Sequence, residues 1–203
     1  MRKIFDIDGS LNSFLTVMYQ IMLINVLTVI FSLPILTMGS AVSAGYQLLM
    51  EQGTRPVNLK RFVECFKDNL KVGSVLTLIH LLTVLVLVQV VSSTIGTPFQ
   101  FLSLLVLSFV ALVCMNTLLV TARLKLNVVE CLKFSLALTM RYTGFFCVNL
   151  AILAISFLIP IFLPKLMFLW FFLGIGLPMF LQVKIFGHCI DRFQHFIEEG
   201  AIN

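Results

Sequence analysis

His188 and Cys189 adjoin near the end of the chain, and His195 follows seven positions after His188, residue types that could hold a metal ion. Coordination needs ligands that converge, whereas neighbours on one helix point in different directions, so no metal site is expected. The sequence contains no Gly-x-Ser-x-Gly elbow, no His-Glu-x-x-His pair and no Gly-x-x-x-x-Gly-Lys phosphate loop. The expectation is a non-enzymatic protein without a cofactor.

The polar groups that remain interrupt long apolar runs: Asn25, His80, Gln89, Asn116, Asn149, Gln182 and Lys184. A side-chain amide in hydrocarbon is costly, so Asn25, Gln89, Asn116, Asn149 and Gln182, on five different predicted spans, should each face protein or a water-filled cavity. Together they would make an interior polar seam, serving either as hydrogen bonds between helices or as a permeation path. Glu51, Glu64, Asp68, Glu130 and Asp191 all fall at the ends of spans, which argues against a carrier built on a buried carboxylate. Lys184 is expected to snorkel to the surface near Asp191.

The elements that position these groups follow from composition. At 60% hydrophobic and 11% charged residues, with a mean hydropathy of +1.07, the chain is far too apolar for a water-soluble domain. Charge-free runs cover 9–50, 72–122, 142–164 and 166–183. A bilayer core takes roughly 20 helical residues per crossing, so spans are predicted near 73–93, 98–122, 144–163 and 166–187, paired by outer turns at Gly96-Thr97-Pro98 and at Pro160 to Pro164. The first run is too long for one crossing. Pro34 and Gly39 bracket a stop and restart, with Thr37 or Ser40 available as cap, which favours a returning segment over one long helix. Its small residues Gly39, Ala41, Ala44 and Gly45, followed by Tyr46, would let another helix approach closely.

The apolar run at the start is much longer than the hydrophobic region of a signal peptide, so the N-terminal segment is expected to be retained. Lys and Arg gather at 51–71 (Arg55, Lys60, Arg61, Lys67, Lys71) and 123–141 (Arg123, Lys125, Lys133, Arg141), with none at 94–97. The positive-inside rule then makes those two segments and the C-terminus cytoplasmic, and the returning segment brings Arg2 and Lys3 to the same side. The net charge of +5 forms no continuous patch, so no nucleic-acid partner is expected. The five cysteines are read as free.

Residues 57–71 form an amphipathic pattern, with Leu59, Phe62, Val63, Phe66 and Leu70 on one face and Lys60, Arg61, Glu64, Lys67, Asp68 and Lys71 opposite. This predicts a helix lying along the cytoplasmic surface, a docking surface that includes Lys60, Arg61, Phe66, Lys67 and Asn69. FVECFKDNLK at 62–71 and VVECLKFSLA at 128–137 share Val-Glu-Cys-apolar-Lys, so 57–122 and 124–187 are a candidate internal repeat within a single domain, 1–203.

With NVLTVIFSLPILTMGSAVSAGYQLLM followed by NLKRFVECFKDNLKVG, the sequence resembles the YesL family of small bacterial membrane proteins, a family of unknown function. The matching positions are Asn25, Leu33 to Gly39, Ala41 to Tyr46, and Phe66 to Asn69; Ser40 stands where that family often has proline. The resemblance is specific over 20–71 and rests on length and span spacing elsewhere. It implies a neighbourhood of carbohydrate-import ABC transporters, sugar-sensing regulators or glycoside hydrolases. AVSAGYQLL lacks the Glu of an ABC permease coupling loop, so the chain is not read as a pore subunit.

The reading is an all-α polytopic bundle of five to six membrane-embedded helices, one short and rich in small residues, plus a cytoplasmic amphipathic helix, in a bacterial cell membrane. Its expected role is accessory to carbohydrate uptake or its regulation, with the lipid bilayer and sugar ABC transporter components as partners; the alternative is a small transporter or channel.

Overall fold

The structure is a computed structural model that describes residues 10–52 and 57–202. The expectations placed on Arg2, Lys3 and Arg55, and on the side chains of His188 and His195, lie outside the described residues. Every regular element among those described is helical: α1 Ser10–Phe31, α2 Met38–Met50, α3 Leu59–Ser93, α4 Gln100–Leu124, α5 Val128–Arg141, α6 Thr143–Phe162, α7 Met167–Leu173 and α8 Gly176–Ile202. Among the described residues three stretches are long and apolar enough to cross a bilayer, Leu11–Phe31, Leu59–Ser93 and Gln100–Leu124. The outer faces of the second and third carry Leu82, Leu85, Val86, Phe101, Leu102 and Leu105 in the open, a belt that is costly to leave in water and that lipid can cover.

The chain does turn back after Pro34. α1 ends at Phe31, and Pro34 leads into a single 3-10 turn, Ile35–Thr37, before α2 starts. Proline cannot donate a backbone hydrogen bond, which leaves carbonyls at the end of α1 without helical partners. The Thr37 hydroxyl meets one of them, the Phe31 oxygen at 2.8 Å, and also lies 2.8 Å from the Pro34 oxygen within the turn. Thr37 therefore closes the end of α1, and no side chain caps the start of α2. Ser40, the other expected cap, lies instead against α3, 3.2 Å from the Leu70 oxygen.

α2 runs antiparallel to both α1 and α3. Its start meets α3 at Gly39–Thr77, and its far end meets α3 through Glu51–Arg61 and α1 through Gln52–Gln20. At 13 residues it is about 20 Å long at 1.5 Å per residue, short of a bilayer core of about 30 Å. It also packs against α4 and α8, and Gly39 through Leu49, apart from Val42, are buried. The returning segment is thus an inner rod enclosed by longer helices.

Two expected boundaries differ. The amphipathic stretch 57–71 is no separate surface helix, because α3 continues unbroken for 35 residues from Leu59 to Ser93. Nothing between Lys71 and Ser74 stops a helix, and Gly73 leaves room for the close approach of α2. The buried face follows suit: Phe62, Cys65, Asn69, Gly73, Leu76 and Thr77 are buried, while Leu59 and Leu70, assigned to the apolar face, are exposed. The predicted span 166–187 is broken into α7 and α8 at Gly174-Ile175. The turn before it lies at Leu163, and Pro160 stays inside α6.

The α2–α3 contact is backbone against backbone. A Cβ on Gly73 would stand 2.7 Å from Ser40 Cα and 2.8 Å from its nitrogen, and one on Gly39 would stand 2.6 Å from the Gly73 oxygen. Close approach of this kind replaces the hydrophobic drive that lipid removes. Gly45 faces the other way, toward Thr28 and Ile24 of α1 and Met179 of α8.

Candidate functional site

The interior amides join particular helix pairs. α8 begins just after Gly174-Ile175, a start with no capping side chain of its own. Asn25 of α1 supplies the cap across 150 residues of sequence: its Oδ1 accepts from Ile175 N at 2.9 Å and Gly176 N at 2.8 Å. Gly176 lets α8 come that close, since a Cβ there would meet the Ile21 oxygen at 2.7 Å. Nearby, Trp170 Nε1 donates to the Ser156 oxygen and the Ser156 hydroxyl donates to the Gly174 oxygen, which ties α6 to the same break.

Tyr46 of α2 donates its hydroxyl to Gln182 Oε1 of α8. Asn116 of α4 donates to Thr139 Oγ1 of α5 at 2.8 Å. Asn69 of α3 donates to Gln47 Oε1 of α2 at 3.0 Å and to the Cys65 oxygen on its own helix. Asn149 is buried with Oδ1 unpartnered among the described residues, and so are Asn116 Oδ1 and Gln182 Nε2. Gln89 is a correction to the polar seam. It is exposed on the outer half of α3, on a stretch where neighbouring helices cover little of the surface.

Charge collects at one end of the bundle. Glu51 caps the C-terminal end of α2, where the helix dipole disfavours an anion, and Arg61 offsets this with two hydrogen bonds, Nη2 to Oε1 at 2.8 Å and Nε to Oε2 at 3.0 Å. Arg61 also reaches Glu64 at 3.2 Å, and Gln47 continues the network to Asn69. Arg123 of α4 holds Asp191 of α8 through Nη2 at 3.0 Å and 3.1 Å and Nε at 3.2 Å, and Lys125 lies 3.6 Å from Asp68.

An open cleft of about 630 Å³ lies between the first turns of α1, the end of α2 and the middle of α8, with Lys184, Arg123 and Asp191 on its wall. A crevice of about 440 Å³, bounded by Glu51, Arg61 and Lys125, shares Met50 and Arg123 with it. Among the described residues no group of three His, Cys, Asp or Glu side chains is placed to hold a metal.

Of the expected docking surface only Lys60 and Lys67 point outward freely. Arg61 is engaged with carboxylates, Phe66 is half-buried with its ring 5.0 Å from that of Phe31, and Asn69 is buried against Gln47. The reason is the one that removed the surface helix: this part of α3 is covered by α2. Ala41 and Ala44 are fully buried. Sequence reasoning missed Gln47, Thr77, Thr139 and Ser156 as polar partners. A hydroxyl one helical turn from a small residue carries a weak signal at best, because such hydroxyls satisfy themselves on their own helix, as Thr77 does on the Gly73 oxygen.

No protein-family model, curated protein or solved structure matches this chain.

Proposed function

We propose that this protein is a non-enzymatic membrane scaffold whose charged end docks a cytoplasmic or membrane partner, as an accessory to carbohydrate uptake or its regulation. In this reading five to six helices are embedded, α2 among them as an inner helix that does not cross. The charged end then faces the cytoplasm of a bacterial cell, since the turn around Gly96 carries no charge. The carbohydrate link comes from the resemblance to the YesL family over 20–71 alone. One observation carries the scaffold reading: the Asn25 acceptor and one group each of Asn116 and Gln182 are spent on joining helices.

The docking surface reduces to the exposed cations of α3. Reversing Lys60 and Lys67 to Glu, both outside the hydrogen-bonded network, should abolish crosslinking to a sugar permease or its ATPase in native membranes while leaving the fold intact. Undiminished crosslinking refutes it.

A small transporter is the second reading. It is favoured by the buried, unpartnered Asn116 Oδ1, Asn149 Oδ1 and Gln182 Nε2, which could meet a polar solute. Flux of sugars or ions into liposomes holding the pure protein, lost in Asn149→Leu, would establish it over the scaffold.

A further inference from the structure

We infer that the cleft between α1 and α8 binds the phosphodiester headgroup of an anionic phospholipid. Lys184 stands on its wall with no carboxylate partner among the described side chains; its ammonium lies 5.7 Å over the Phe180 ring, a contact that leaves its hydrogen-bond donors unused. Arg123 stands beside it, its guanidinium oriented by Asp191. The charged lining of this cleft is Arg123 and Lys184 against Asp191, and Lys184 carries the one positive charge in excess, which attracts an anion; in the adjoining crevice Arg61 and Lys125 are already matched by Glu51, Glu64 and Asp68.

The remaining lining selects a lipid over a free phosphate. Val17, Leu49 and Val183 supply apolar wall, which an inorganic ion cannot use and which the glycerol and first methylenes of a phospholipid can. Gln20 and Gln52, bonded to each other at 2.7 Å, add amide groups to the same lining, where they can meet the oxygens of a phosphate ester. Basic pockets between membrane helices near the aqueous boundary are where anionic headgroups are bound. The inference rests on the charged end lying at a membrane surface, as proposed above, and not on any docked protein.

The test uses the full chain in neutral detergent, titrated with phosphatidylglycerol or phosphatidylcholine, with melting followed by fluorescence of Trp170, the one tryptophan in the sequence. Phosphatidylglycerol should raise the melting temperature saturably and phosphatidylcholine should not. Lys184→Ala should weaken the apparent affinity about fivefold, the factor matching roughly 1 kcal/mol per basic residue at an anionic surface. Lys184→Glu should abolish the response, while Lys133→Glu, an equal charge change at an exposed position on α5, should leave it intact. Equal responses to the two lipids overturn the inference. So does an equal rise with sodium phosphate or glycerol phosphate, which would assign the cleft to a soluble anion, or equal losses in the Lys184 and Lys133 variants. None of these outcomes involves Lys60 or Lys67, so a failed lipid titration and a failed partner crosslink are separate results.

Discussion

Replacing Asn25 with leucine should loosen the start of α8 while leaving α1 helical. Leucine keeps the number and branching of the side-chain heavy atoms and removes the acceptor, so the Ile175 and Gly176 amides lose bonds of 2.9 Å and 2.8 Å at a site where Asn25 is 1% exposed. Losing a helix cap costs about 1 kcal/mol in water, and interhelical bonds within membranes average about 0.6 kcal/mol and reach about 1.7 kcal/mol. Two donors fixed at a helix start cannot find new partners by rotating, as a side chain can, so the upper part of that range applies and the expected loss is about 2–3 kcal/mol. Asn25→Asp keeps an oxygen in place near the positive end of the α8 dipole, and should fall between wild type and leucine. The assay is reversible unfolding in mixed micelles, read by helical circular dichroism and by Trp170 emission, because the Trp170 indole is bonded to Ser156, which itself holds the Gly174 oxygen. An Asn25→Leu protein within about 0.5 kcal/mol of wild type, or one more stable than Asn25→Asp, would refute the capping argument.

Gly73→Ala should destabilise by about 2–3 kcal/mol, because the new methyl meets Ser40 backbone atoms at 2.7–2.8 Å and neither helix can yield locally, whereas Gly144→Ala, with open space at its Cβ, should be neutral or gain up to about 1 kcal/mol; parallel melts decide it. Arg61→Ala should cost about 1–3 kcal/mol by stranding Glu51 at the end of α2, both side chains being about a quarter exposed, and Glu51→Gln in that background should recover part of the loss in a double-mutant cycle. Burial pushes the Cys131 thiol above its ordinary value of 9.0, so the folded state favours the protonated thiol; that contribution is complete below about pH 9 and is lost as pH rises beyond it. A melting curve that falls more steeply above pH 9 in wild type than in Cys131→Ala checks this, and identical curves count against it.

The helical class and the turn at Pro34 were legible because lipid makes the signals coarse: length without charge marks a span, and Pro34 and Gly39 bracket a stop and restart within a run too long for one crossing. The junction at Lys71 was misread for an equally physical reason. Amphipathicity reports that one face avoids water without saying whether lipid or protein covers it, and here α2 covers the Phe62–Cys65–Asn69 face. Gln89 was misplaced because burial was inferred from cost alone; the outer half of α3 extends past the level where α2 starts, and its side chains have few neighbours. The role of Asn25 as the cap of α8 was beyond local pattern, since its partners lie 150 and 151 residues away.

Within lipid, burying leucine on leucine gains little over leaving it against acyl chains, so an all-apolar bundle would have many near-equivalent packings. The arrangement is made unique where backbones touch, at Gly39, Ser40 and Gly73, and where buried amides have one geometric solution, at Asn25, Tyr46–Gln182 and Asn116–Thr139. Those devices concentrate on α2 and its immediate neighbours. At the charged end the same inner helix terminates in Glu51, held by Arg61, and in Gln52, held by Gln20. A shift of α2 along its axis would therefore strain the glycine contact at one end and move the wall that Leu49, Met50 and Gln52 give the basic cleft at the other. Occupancy of that cleft and the packing of the buried rod are coupled through one rigid element, and a headgroup that stabilises the cleft should also protect the α2–α3 contact from opening.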